Sequence, residues 1–355
     1  MSPAAVRVVV PFSLGLQPME RLFIVDLLGH PVVAALEVQQ LQGRDGSGLR
    51  VLWMRHDGYV DVLTQDTVAD LPLSAGIGRG HGTLATVPFR EARFDVSAGL
   101  HLQVELNDPD GAVWRVAVES PAPRAGRGPF LAPVGSNVAT PDRFFAVEML
   151  GFAMLTGDSH VEIEVDGRSI EVVRLPRLLT VRPTLLARWA PTVVAADLMA
   201  GRRPPVTVLP ATAGRHPSPC GTVEVAGDGN VRSVSVGSGE RSASLLLPSG
   251  LPPLDRLAQG RAAEVRWILQ VAADQVAAGR LTLHRQGDSV RLGLVPETGW
   301  APSRPTPLVR TITTLQQGMR RWPTTYRWDA ELSLGDTPGF SRSAWSRVGR
   351  SRQAG

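Results

Sequence analysis

The stretch that decides the fold runs from Leu100 to Glu119, LHLQVELNDPDGAVWRVAVE. Leu100, Leu102, Val104 and Leu106 alternate with His101, Gln103 and Glu105. After Asp110-Gly111 the pattern resumes, with Trp114, Val116 and Val118 alternating with Arg115, Ala117 and Glu119. A period of two puts each set on its own side of an extended strand. Asp-Gly supplies the positive-φ residues that a tight reversal needs. The segment therefore reads as a β-hairpin with one apolar and one polar face.

The same device recurs outward from this hairpin. Asp45-Gly46, Asp57-Gly58, Asp166-Gly167, Asp228-Gly229 and Gly287-Asp288 each sit between alternating runs. Serial hairpins with one apolar face predict a mainly β protein built from antiparallel sheets curled into sandwiches or barrels. The stretch Gly201-Arg202-Arg203-Pro204-Pro205 breaks the periodicity, and Pro, Gly and Arg continue to Pro219. The expected organisation is a β domain over 1–200, a linker over 201–220, a second β domain over 221–334, and a disordered basic tail over 335–355. Within the first domain, Pro121 to Pro141 reads as a long loop.

One helix is expected, over 307–321. Thr306 suits the N-cap and Pro307 the first turn. Leu308, Ile312, Leu315 and Met319 form its apolar stripe, and Pro323 ends it. A final strand follows, in which Tyr326, Trp328, Ala330, Leu332 and Leu334 alternate with polar residues. Residues 261–278 support two readings. Their Ala, Glu, Leu and Gln content, with Gly279 behind, favours a helix, the reading adopted. Val265, Trp267, Leu269 and Val271 also alternate as a strand would.

Composition excludes several chemistries. The 37 basic residues are all arginine. Without lysine the chain cannot form a Schiff base, and it lacks the phosphate-binding lysine of P-loop enzymes and protein kinases. A net charge of +4 on 355 residues argues against a general nucleic-acid binder. The single cysteine, Cys220, excludes an intrachain disulfide and a multi-thiolate zinc site. A Cys220/His216 nucleophile pair is conceivable, but Cys220 reads as a small residue opening a strand. No run reaches the roughly 18 apolar residues of a membrane span. The nearest, Phe144 to Leu155, is short and contains Glu148. Val6 to Leu16 lacks a cleavage signature, so no signal peptide and a cytoplasmic location are expected.

Candidate functional residues fall in three places. The Gly-rich run Gly76 to Gly82 precedes a strand rather than a helix, so it is not a dinucleotide fingerprint. It reads as a flexible loop, with Arg79 and His81 available to a ligand. In Asp158 to Asp166, His160, Glu162 and Glu164 share one strand face and Val161, Ile163 and Val165 the other. The expectation is an apolar face turned inward. The inverse would make His160, Glu162 and Glu164 catalytic candidates. Aromatics flanked by arginine (Tyr59 near the second Asp-Gly turn, Tyr326 and Trp328 near the C-terminus) complete the ligand-binding candidates. No metal-ligand spacing, cofactor motif or nucleophile elbow is present.

Serial hairpins followed by a helix and a last strand resemble tandem lipocalin-like barrels. That resemblance implies a scaffold that binds or transforms isoprenoid- or polyketide-like molecules. The leading expectation is a binding protein for an apolar small molecule, such as a lipid, in a barrel or inter-domain cavity. The alternatives are a cofactor-independent hydratase, cyclase or isomerase on the same scaffold, and a protein-interaction module without a ligand. An enclosed apolar cavity, a cavity with convergent His and Glu, or a filled core would distinguish the three.

Overall fold

A computed structural model describes residues 7–73, 79–121, 128–132, 141–175, 184–272, 274–315 and 317–348. It is mainly β, with five sheets, and none of them closes into a barrel among the described residues. The decisive hairpin forms as its alternation requires: Gly99–Asn107 pairs antiparallel with Val113–Pro121. These two strands lie within a five-stranded sheet that also holds Phe89–Asp95, His160–Val165 and Arg168–Ser169.

The inner face of this sheet packs on an eight-stranded sheet built around Met19–Leu28, Val33–Gln42 and Ser47–Arg55. Leu102, Val104, Val116, Val118 and Ile163 meet Phe23, Val38, Val51 and Leu63 there. The Trp53 and Trp114 rings stack across the interface at 4.5 Å. One pair in the larger sheet, Tyr59–Thr64 with Gly80–Thr86, is parallel.

A second pair of layers shares the other large core. Nine strands from Gly214 to Arg347 follow one another as an antiparallel meander. Against it lies a four-stranded sheet of Phe130–Ala132, Phe144–Leu150, Thr192–Leu198 and Leu14–Leu16. Phe144 packs between Trp322 and Tyr326, and the Trp345 indole donates to the Met199 carbonyl at 3.2 Å. This core therefore joins residues from both sides of 201–220. That segment is not bare linker: Thr207–Pro210 pairs with Arg7–Val10, and Gly214–Ser218 opens the meander.

Several expectations are corrected. Residues 261–278 are not helical: Ala262–Val271 and Asp274–Gln286 are strands. Val265, Trp267, Leu269 and Val271 are all buried. Burial of that alternating row outweighs the helix propensity of the alanines. The segment 335–355 is not a tail throughout. Gly339–Arg347 is the last strand of the meander, with Phe340 and Trp345 buried. So Tyr326–Ser333 is not the final strand. The helix forms as Pro307–Leu315, continued by a second short helix, Gln317–Arg321, and the Thr306 hydroxyl accepts from the Val309 N–H at 3.3 Å. Of the expected sandwiches or barrels, no barrel forms among the described residues: the antiparallel sheets stay open and stack in layers.

Candidate functional site

The five-stranded sheet turns its polar face outward, and cross-strand register arranges that face in rows. One row reads Asp95, His101, Glu119, His160 across four strands. The next reads Arg93, Gln103, Ala117, Glu162. A third reads Glu91, Glu105, Arg115, Glu164. Directly opposed residues lie about 5 Å apart, so each row is a continuous strip of side-chain chemistry. Carboxylates outnumber arginines on the face, although the chain as a whole carries +4.

Two depressions mark this surface. The larger, about 550 Å³, surrounds the first row where the sheet ends, with Asp158 at its rim. The smaller, about 260 Å³, lies over the third row. Their polar groups are held in place. His101 Nδ1 lies 3.3 Å from Glu119 and His160 Nε2 3.7 Å from Glu162. Glu105 accepts from Arg115 at 2.9 Å and from Arg90 at 3.1 Å, and these guanidiniums lower its pKa, Arg115 first. The Ser97 N–H, with Arg93, brings Asp95 down to about 2.

The sequence candidates separate into three places. His160, Glu162 and Glu164 line the depressions. His160 is 64% exposed at its side chain while Ile163 is 1% exposed, so the apolar face points inward. Tyr59, Arg79 and His81 cluster instead at the edge of the eight-stranded sheet, where Arg79 N–H bonds the Gly58 carbonyl at 2.7 Å. Part of the Gly-rich run is strand rather than loop, because Gly80–Thr86 pairs in the sheet. A Cβ on Gly82 would collide with Asp61 Oδ1, which accepts from the Thr83 N–H at 2.6 Å. Residues 76–78 of the run lie outside the described residues. Tyr326 and Trp328 are core residues at 2% and 0% exposure, and Trp328 Nε1 donates to Ser343. Cys220 is buried against Thr207, and His216 bonds the Thr212 carbonyl. Among the described residues no cluster of three or more His, Cys, Asp or Glu is arranged for a metal.

A second constellation lies inside the larger core. Glu148, in the middle of Phe144–Leu150, is 0% exposed. Asp274 opens the strand Asp274–Gln286 and is 2% exposed, and Trp300 is 1% exposed. Other buried charges of the chain have partners: Asp197 takes Arg143 at 3.1 Å, Glu37 takes Gln39 at 2.7 Å, and Arg50 donates to the Leu71 and Pro72 carbonyls. Both Glu148 oxygens, Asp274 Oδ2 and Trp300 Nε1 have no hydrogen-bond partner among the described residues. Burial, and then Asp274, push the Glu148 carboxyl up to about 10, against a smaller opposing pull from the Trp300 indole. The sequence carried one sign of this group, an acid inside an otherwise apolar run. The chain matches no protein-family model, no curated protein and no solved structure.

Proposed function

We propose that this protein is a binding module whose acidic outer sheet face receives an arginine- or lysine-bearing segment of a partner protein. The observation that carries the reading is a three-row polar face whose carboxylates (Glu91, Asp95, Glu105, Glu119, Glu162 and Glu164) outnumber the arginines in the same rows (Arg93 and Arg115), indented by two polar depressions, on a chain of opposite net charge. Carboxylates in excess of their cationic neighbours leave the face net negative, and a guanidinium or ammonium group laid on it is attracted. Their spacing suits a row of guanidinium or ammonium groups laid across strands. Neither depression is an enclosed apolar chamber, so the interaction reading is favoured over a barrel-borne apolar ligand.

The test is a titration of a labelled arginine-rich peptide into the full chain, with an aspartate-rich peptide as control. The arginine-rich peptide should bind, and more weakly as salt rises. Replacing Glu119 and Glu162 together by Gln should weaken it about fivefold, at about 0.5 kcal/mol per exposed charge pair. Equal binding of both peptides, or an unaffected double variant, would overturn the proposal.

A further inference from the structure

The chain carries its own counterpart to the acidic sheet face. From Thr298 to Trp328 runs its longest stretch without an aspartate or glutamate, and that stretch holds five arginines. Arg327 is taken by Asp329 at 2.8 Å. Arg304, Arg310, Arg320 and Arg321 are exposed, and none forms a salt bridge among the described residues. The helix Pro307–Leu315 and the short helix Gln317–Arg321 present three of them. Val309 and Thr313 are buried, which seats the first helix on the larger core and leaves Arg310 and Leu315 in solvent. Leu315 is 73% exposed, more than any other large hydrophobic residue described. The arginine pair is anchored from beneath. The Arg320 carbonyl accepts the Trp300 N–H at 3.1 Å, and Trp322, next after Arg321, stacks on Phe144 at 5.6 Å. The backbone is therefore fixed while both guanidiniums stand free.

Two surfaces of opposite sign thus lie on one chain, each in excess of its own counter-charges. On the five-stranded sheet, six carboxylates face Arg93 and Arg115. On the helical segment, four arginines face no acid of the same stretch. The two surfaces belong to different pairs of layers: Val309 and Trp322 enter the larger core, whereas the sheet closes the smaller one. The four arginines have no carboxylate partner within their own molecule, so the match is available only between molecules. An acid-free arginine segment is the cation that the sheet face calls for, because interspersed acids would restore repulsion. Leu315 adds an apolar contact among the charges.

We infer that the partner of the acidic sheet face is a second copy of this chain, which offers the helical segment 304–321. The inference rests on the reading of that face as a cation-binding surface, and it names the occupant. Each copy carries both halves of the contact, so the chain associates with itself without any other component. Sedimentation equilibrium of the full chain at about 0.1 M and about 1 M salt tests it, as screening shortens from about 10 Å to about 3 Å. The mass should exceed the 38.0 kDa of one chain at the lower salt and fall towards it at the higher. Arg320→Glu with Arg321→Glu should weaken self-association about tenfold, because two attractions become repulsions. Those two changes should leave binding of the arginine-rich peptide intact, since the peptide meets the sheet face. Arg320→Lys with Arg321→Lys should keep the association. A chain that binds the peptide yet stays at 38.0 kDa at both salts would overturn the inference and leave the reading of the face standing. Self-association that survives Arg320→Glu with Arg321→Glu would also overturn it, by placing the contact elsewhere. Loss of peptide binding and self-association alike in the parent chain would overturn both.

Discussion

At the residue scale, Glu148 works against stability at neutral pH. Its folded-state pKa of about 10 lies above the ordinary 4.5. The folded chain therefore retains a proton that the unfolded chain releases. The direction is fixed: this group's contribution declines as pH rises from about 4.5 towards about 10, by at most about 1.4 kcal/mol per pH unit. Glu148→Gln removes the titration, so urea unfolding should show the variant gaining on the parent with every step up in pH. Parallel stability curves for the two proteins would contradict the assignment. On the outer sheet, His160→Ala should leave stability unchanged, because the ring stands in solvent. Ile163→Ala should destabilise by about 2–4 kcal/mol, because its side chain fills the inter-sheet core. This inside-outside division was legible from alternation alone. The row that sets His160 beside Glu119 and His101 was not, because cross-strand register depends on pairings distant in sequence.

At the element scale, the strand Gly339–Arg347 is part of the fold. Phe340 and Trp345 both point inward although they are five residues apart. The register against Tyr326–Ser333 slips between Arg342 and Phe340, leaving Ser341 bulged. A bulge of one residue reverses which face later side chains take. Strict alternation therefore fails there, which hid the strand behind its Ser, Arg and Gly content. Trp345→Ala should cost about 3–5 kcal/mol in chemical unfolding, through lost packing against Phe144 and Tyr326 and a lost bond to Met199. A chain ending at Leu334 should melt many degrees lower than the full chain. An unchanged Tm would mean that the last strand adds nothing to the core. The Asp-Gly hairpins, by contrast, were readable because their information is local: turn chemistry and flanking period agree within about twenty residues.

At the scale of the whole molecule, the cores do not follow the order of the chain. Residues 7–14, 130–132, 144–152 and 190–199 pack with the C-terminal meander in a single cluster. The Pro- and Gly-rich composition near residue 201 marked a change in periodicity. It could not show that strands before it cross over to pack on strands after it. Arg202 is exposed and followed by Arg203, so trypsin should cut between them, yet the two pieces should still elute together on gel filtration. Separation into independent fragments would contradict a shared core. The proposed recognition face lies on the other pair of layers, and the absence of lysine makes it directly testable. With no lysine in the chain, a carbodiimide couples the amines of an added lysine-rich peptide to the chain's carboxylates with little internal cross-linking. Mapping the adducts by mass spectrometry should place them on Glu119, Glu162 and their neighbours across the five-stranded sheet. Adducts spread evenly over the chain's exposed carboxylates, or concentrated on another surface, would contradict the assignment of that face as the binding site.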